Sequence, residues 1–157
     1  MKYGFIGLGN MASALVRGLA ASSGGRHSLC GYNPTRAKAE KLAADCGLEI
    51  CASNAEVAEK SDVIVLAVKP HMVEQALAGV AEAAKGKLII SVVAGRPVAF
   101  LEGLFPGSPV VRIMPNINAK VGASITGLCY GQHITDEHKT AALDLTDGIG
   151  QSMEIDE

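Results

Sequence analysis

The chain has 157 residues, 48% of them hydrophobic and 19% charged, with a net charge of -2 at neutral pH. No basic block occurs and aromatic residues make up only 4%, so neither the cationic surface nor the stacking platform of a nucleic-acid binder is expected. The length suits a single α/β domain over residues 1–157, and no apolar run is long enough to cross a membrane.

Strand-like and helix-like segments alternate along the chain. Strands are expected at Tyr3–Ile6, Ser28–Tyr32, Glu49–Cys51, Val63–Ala67, Leu88–Val92, Val110–Ile113, Ser124–Tyr130 and Ser152–Ile155. Helices are expected at Met11–Ala21, Thr35–Asp45, Ala55–Glu59, His71–Ala84, Val98–Leu104 and Asp136–Ile149. Pro34 and Thr35 precede the second helix, Asn54 the third and Thr135 the last, as capping residues do, and Gly47 follows the second. Alternating β and α segments with near-continuous apolar strands, such as Val63–Ala67, imply a Rossmann-type, doubly wound and mainly parallel sheet with helices on both faces.

In such a sheet, ligands sit beyond the carboxyl ends of the strands. The first of those turns reads Gly7-Leu8-Gly9-Asn10-Met11-Ala12, a G-x-G-x-x-A placed between a strand and a helix. Gly7 permits the tight turn, Gly9 leaves room for a pyrophosphate against the backbone, and Ala12 lets helix and strand pack closely. The helix starts near Asn10 and directs free N–H groups and a positive dipole end at the phosphates. The turn after the second strand, Asn33-Pro34-Thr35-Arg36, lacks the acidic residue that would bind the ribose hydroxyls of NAD. Arg36 offers a planar fork to a 2′-phosphate, with Asn33 and Thr35 as neutral partners, so NADP(H) is expected in preference to NAD(H).

The cysteines Cys30, Cys46, Cys51 and Cys129 form no C-x-x-C pair and have no His at ligand spacing, so no metal site is expected. The first residues read as a strand, not as a secretory leader, and free thiols agree with a cytoplasmic setting. Lys69 at a strand end reads as a structural or cofactor-contacting residue, and His71 as a surface histidine. His133 and His138 lack acidic partners at metal spacing, Ser91 lacks a nucleophile elbow, and Met72 and Leu77 read as core positions of a helix.

Four segments in order resemble pyrroline-5-carboxylate reductase: Phe5 to Ala12, Ala67-Val68-Lys69-Pro70, Ser91 to Gly95, and Val111 to Asn116. The resemblance covers the whole chain but only the N-terminal domain of that family. It implies an NADPH-dependent enzyme that reduces the C=N bond of a cyclic imine to give proline. It further implies that Ile6 and Gly7 to Ala12 surround the pyrophosphate, that Asn33, Thr35 and Arg36 meet the adenosine phosphate, and that Asn54 reaches the ribose. Ala67, Val68, Lys69 and Pro70 would line the middle of the cofactor, and Ala94, Gly95 and Asn116 would lie near the nicotinamide. The family commonly continues Met-Pro-Asn with Thr-Pro, whereas Ile117-Asn118 stand here, which changes the expected loop shape.

Hydride addition to an iminium needs orientation and exclusion of water rather than a nucleophile or metal, so no catalytic side chain is assigned. The backbone at Ala94 and Gly95 offers part of an anion site for a substrate carboxylate. The family's C-terminal helical domain, which forms the homo-oligomer and much of the substrate site, is expected to be absent, leaving a monomer or weak dimer. The alternatives are another NADP-dependent oxidoreductase, of the β-hydroxyacid dehydrogenase or deazaflavin-dependent type, and a non-catalytic NADP-binding module.

Overall fold

The structure, a computed structural model, describes residues 1–157, the side chain of Ile117 excepted. Eight strands form one sheet: β1 (Lys2–Ile6), β2 (Ser28–Tyr32), β3 (Glu49–Ile50), β4 (Val63–Leu66), β5 (Leu88–Ser91), β6 (Val110–Met114), β7 (Ser124–Tyr130) and β8 (Gly150–Glu154). Their spatial order is β3-β2-β1-β4-β5-β6-β7-β8. The first six are parallel, β7 runs antiparallel to β6, and β8 runs parallel to β7. The direction of chain build-up reverses at β1, which opens a crevice between the turns after β1 and β4.

Side chains alternate across a strand, so strands apolar at every position feed two cores. Tyr3, Phe5, Val63, Val65, Leu88 and Ile90 face one core, while Ile6, Ile64, Leu66 and Ile89 face the other. The first core is covered by α1 (Asn10–Ser23), α2 (Arg36–Cys46) and α7 (Asp136–Asp147). The second is covered by α3 (Asn54–Lys60), α4 (Val73–Ala76), α5 (Ala81–Ala84) and α6 (Val98–Leu104). Among the described residues, no helix is long and apolar enough to cross a membrane.

The expected strands and helices form, with ends that move by one or two residues, apart from one helix. The segment expected as one helix over 71–84 is a 3-10 turn (Pro70–Met72) followed by the short α4 and α5. Gly79 adopts φ +76, a left-handed conformation that ends a helix, and the Ala76 carbonyl is taken by Asn54 Nδ2 at 3.0 Å. A further 3-10 turn over Ile117–Val121 was not foreseen, and Gly122 closes it at φ +71. Ser53 rather than Asn54 caps α3, its Oγ accepting from the Glu56 N–H at 3.1 Å. Thr135 and His138 form a reciprocal cap on α7, in which His138 Nδ1 accepts from the Thr135 N–H at 3.0 Å.

Where α1 crosses the end of α7, Gly18 meets Gly148 so closely that a Cβ on Gly18 would stand 2.4 Å from the Gly148 carbonyl oxygen. That obstacle is backbone and cannot rotate away. Gly18→Ala is therefore expected to lower unfolding stability by about 2 kcal/mol, although alanine is the better helix former. Gly103 in α6 has no atom within 4 Å of a built Cβ, so Gly103→Ala is expected to raise stability by about 0.5–1 kcal/mol. Urea unfolding of both variants checks the pair; equal shifts would contradict the contact.

Candidate functional site

The turn out of β1 is fixed by three bonds. Gly7 sits at φ +93, and a Cβ there would stand 2.7 Å from the Ala67 carbonyl oxygen, so the backbone itself requires glycine. The Gly7 N–H donates to the Tyr32 carbonyl at 3.1 Å, and the Leu8 N–H donates to Asn33 Oδ1 at 3.0 Å. Asn33 Nδ2 in turn donates to the Thr35 carbonyl at 3.0 Å, tying the turns after β1 and β2 together. The buried Leu8 side chain anchors the turn from below.

Gly9 differs from Gly7. Its backbone, at φ -75 and ψ -165, suits any residue, and a Cβ would meet nothing within 4 Å. The fold leaves that space open. α1 follows with no capping side chain and no acidic residue in its first turn. Its leading amides and positive dipole end are thus free for an anion.

Beside this turn lies a cleft of about 420 Å³. Gly7, Leu8 and Gly9 form one wall, Asn33 and Thr35 a second, and Ala67, Val68 and Lys69 a third, with Asn54 entering from α3. Asn54 Nδ2 is held by the Ala76 carbonyl, while its Oδ1 is buried without a hydrogen-bond partner. A buried acceptor left unpaired is unfavourable.

The other expected residues do not line the cleft. Ile6 and Ala12 are buried beneath the turn, and Met11 packs partly buried against the first core. Pro70 begins the 3-10 turn after β4. Ala94 and Gly95 are exposed after β5, with Gly95 at φ +71. Asn116 follows β6, and its Oδ1 accepts from the Asn118 N–H at 3.0 Å. Asn10 faces a separate groove. Arg36 does not line the cleft; its side chain is 70% exposed and its Nε lies 3.1 Å from Glu40 Oε1.

Tyr32, Lys38, Met72 and Gln75 line the cleft and were not foreseen. Lys38 lies three residues past the Thr35 cap, a helical spacing that turns it toward the same side as Thr35. Met72 corrects its reading as a core residue: the broken helix places it in the 3-10 turn, facing the cleft, while Leu77 packs against the second core.

With this geometry, the sequence pattern described as "NADP oxidoreductase coenzyme F420-dependent" matches residues 2–95. The chain belongs to this family. A curated relative, the pyrroline-5-carboxylate reductase of Methanosarcina acetivorans, is 34% identical over 99% of the chain and 59% of the relative. The pyrroline-5-carboxylate reductase structure from Coxiella burnetii superposes with a TM-score of 0.91 at 29% identity, over 99% of this chain and 58% of that one. The Plasmodium falciparum pyrroline carboxylate reductase, solved with NADP bound, gives a TM-score of 0.87 at 30% identity, over 100% of this chain and 58% of that one. The chain thus spans less than two thirds of the length of these relatives.

The site fits a nicotinamide dinucleotide on its own features. These are the open space over Gly9, the free α1 amides, the unpaired Asn54 Oδ1, the cations Lys38 and Lys69, and the apolar wall of Val68 and Met72. A larger groove of about 620 Å³ runs along α1 past Arg17, Lys41 and Lys120, and shares only Leu8 and Lys38 with the cleft. At the far edge of the sheet, ligand atoms of Glu49, Cys51 and Glu56 lie within 4.8 Å of one another. Lys2 and Lys60 grip Glu49 at 2.6 and 2.5 Å, and those bonds hold its carboxyl down to about 2. Burial pushes the Cys51 thiol up from its ordinary value, and the charged groups beside it are the ion pairs of Glu49 with Lys2 and Lys60 and of Glu56 with Lys60.

The contrast between the two glycines is testable. Gly9→Ala is expected to weaken NADPH binding at least tenfold while changing stability by no more than about 1 kcal/mol. Gly7→Ala is expected to lower the melting temperature as well. Calorimetric titration with thermal unfolding checks both; full affinity in Gly9→Ala would show that nothing approaches that backbone.

Proposed function

We propose that this chain is the cofactor-binding domain of an NADPH-dependent pyrroline-5-carboxylate reductase. The observation that carries the reading is the match of nearly the whole chain to relatives of that name, joined to a cleft shaped for a dinucleotide. The F420-dependent description of the family supports a second reading, an NADP oxidoreductase whose other partner is a deazaflavin.

When bound, the nicotinamide supplies hydride to the carbon of the C=N bond of a cyclic imine acid. The chain's own residues do the positioning. The amides opening α1 hold the pyrophosphate, Asn54 Oδ1 accepts from a ribose hydroxyl, and Val68, Lys69 and Pro70 border the middle of the cofactor. Ala94, Gly95 and Asn116 border the nicotinamide. No side chain of this domain is assigned the proton transfer. Substrate contacts and assembly are assigned to the two fifths of the relatives' length outside the match.

Preference for NADP(H) over NAD(H) rests on the turn after β2. Lys38 stands in the cleft, while Arg36, outside its lining, opens the helix after that turn and would meet a 2′-phosphate by leaving Glu40. Neither position carries a carboxylate that would select the ribose diol. A charge-assisted bond is worth about 1.5–3 kcal/mol, and exposure favours the lower end. Lys38→Met is therefore expected to weaken NADPH binding about tenfold and Arg36→Ala by less, with NADH affinity nearly unchanged in both. Fluorescence titrations of the two cofactors check this; equal losses for NADPH and NADH would overturn the preference. Reduction of 1-pyrroline-5-carboxylate or of F420 by the protein separates the two readings.

A further inference from the structure

We propose that Arg96 is a positioning residue for the nicotinamide half of the bound dinucleotide, acting by clamping the turn after β4 to the turn after β5. The inference rests on the dinucleotide reading of the cleft. β4 and β5 are in parallel register up to Leu66 and Ser91, and the ladder continues one bond further, from the Val92 N–H to the Leu66 carbonyl at 3.0 Å. Beyond it, among the described residues, no backbone bond joins Ala67–Met72 to Val93–Pro97. Two loops that the dinucleotide reading places against one ligand would thus be independent of each other.

Arg96 makes the link that the backbone does not. Its Nη2 donates to the Pro70 carbonyl at 3.1 Å, and its guanidinium lies over the Phe100 ring, 5.3 Å from the centroid. Pro70 opens the 3-10 turn, and its carbonyl also accepts the Val73 N–H. A bond to that oxygen therefore fixes the turn that carries Lys69 and Met72 into the cleft. Phe100 lies in the first turn of α6, four residues after Arg96, and its ring supports the flat guanidinium. Nε is buried without a partner, so the hold rests on Nη2 and the ring. A planar fork can bond outward and lie on an aromatic face at once, which a lysine ammonium does less well.

The test compares two ligands that share the adenosine end. NADPH spans the whole cleft; adenosine 2′,5′-bisphosphate lacks the nicotinamide half. Arg96→Met retains an apolar stem over Phe100 and removes the donor. It is expected to weaken NADPH binding about tenfold while the bisphosphate binds within twofold of wild type. Arg96→Lys should recover part of the loss, and Phe100→Leu should reproduce the selective loss more weakly. Unchanged NADPH affinity in Arg96→Met overturns the clamp, and so does an equal loss for both ligands, which marks a general structural role. A wild-type chain that binds neither ligand overturns the dinucleotide reading and the clamp with it.

Discussion

The Gly7 turn is the constraint on which the rest of the site depends. At φ +93 it turns the chain from β1 into α1, and the Ala67 carbonyl closes against it from β4. The same turn is gripped from β2 through the Tyr32 carbonyl and Asn33 Oδ1. Three neighbouring strands therefore meet at one glycine. The direction of the first α1 amides, the open space over Gly9 and the two side walls of the cleft all follow from that single backbone conformation. A side chain at Gly7 would separate the walls; a side chain at Gly9 would only fill the space between them.

The cleft is assembled from segments distant in sequence, and polar side chains hold those segments in register. Asn33 ties the turn after β2 to the glycine turn. Asn54, from α3, holds the Ala76 carbonyl at the end of α4. Asn33 directs both ends of its amide at protein backbone and Asn54 directs one, which fixes the two side chains, and Asn54 Oδ1 is buried without a partner. Apolar packing sets where the strands lie, and these directed bonds set the width of the opening between their ends.

Much of this was legible in the sequence because it is carried by local signals. The two-faced strands, the glycine turn and the parallel sheet follow from apolar runs, from period-two burial and from the demands of a tight turn. The turns after β2 and β4 were placed on the correct edge for the same reason. What escaped depends on distant partners. The helix expected over 71–84 has a helical pattern, but Gly79 and the bond from Asn54 to Ala76 interrupt it, and neither cost appears in a periodicity. Met72 was read as core for that reason. Arg36 is the cation nearest the turn in sequence, but sequence does not show which way a helix faces, and it is Lys38 that lines the cleft. Ser53 and Asn54 are both good capping residues, and only the bond to Glu56 separates them.

The most direct measurement is an amide-resolved NMR titration of the isotopically labelled chain with NADP⁺. Binding in the cleft should shift the amides of Leu8 to Met11, Asn33 to Thr35, Val68 and Lys69, and Gly95 together, with a single dissociation constant. Shifts confined to Arg17, Lys41 and Lys120 would place the ligand in the larger groove along α1 and contradict the assignment of the cleft. An unchanged spectrum at millimolar NADP⁺ would contradict it as well.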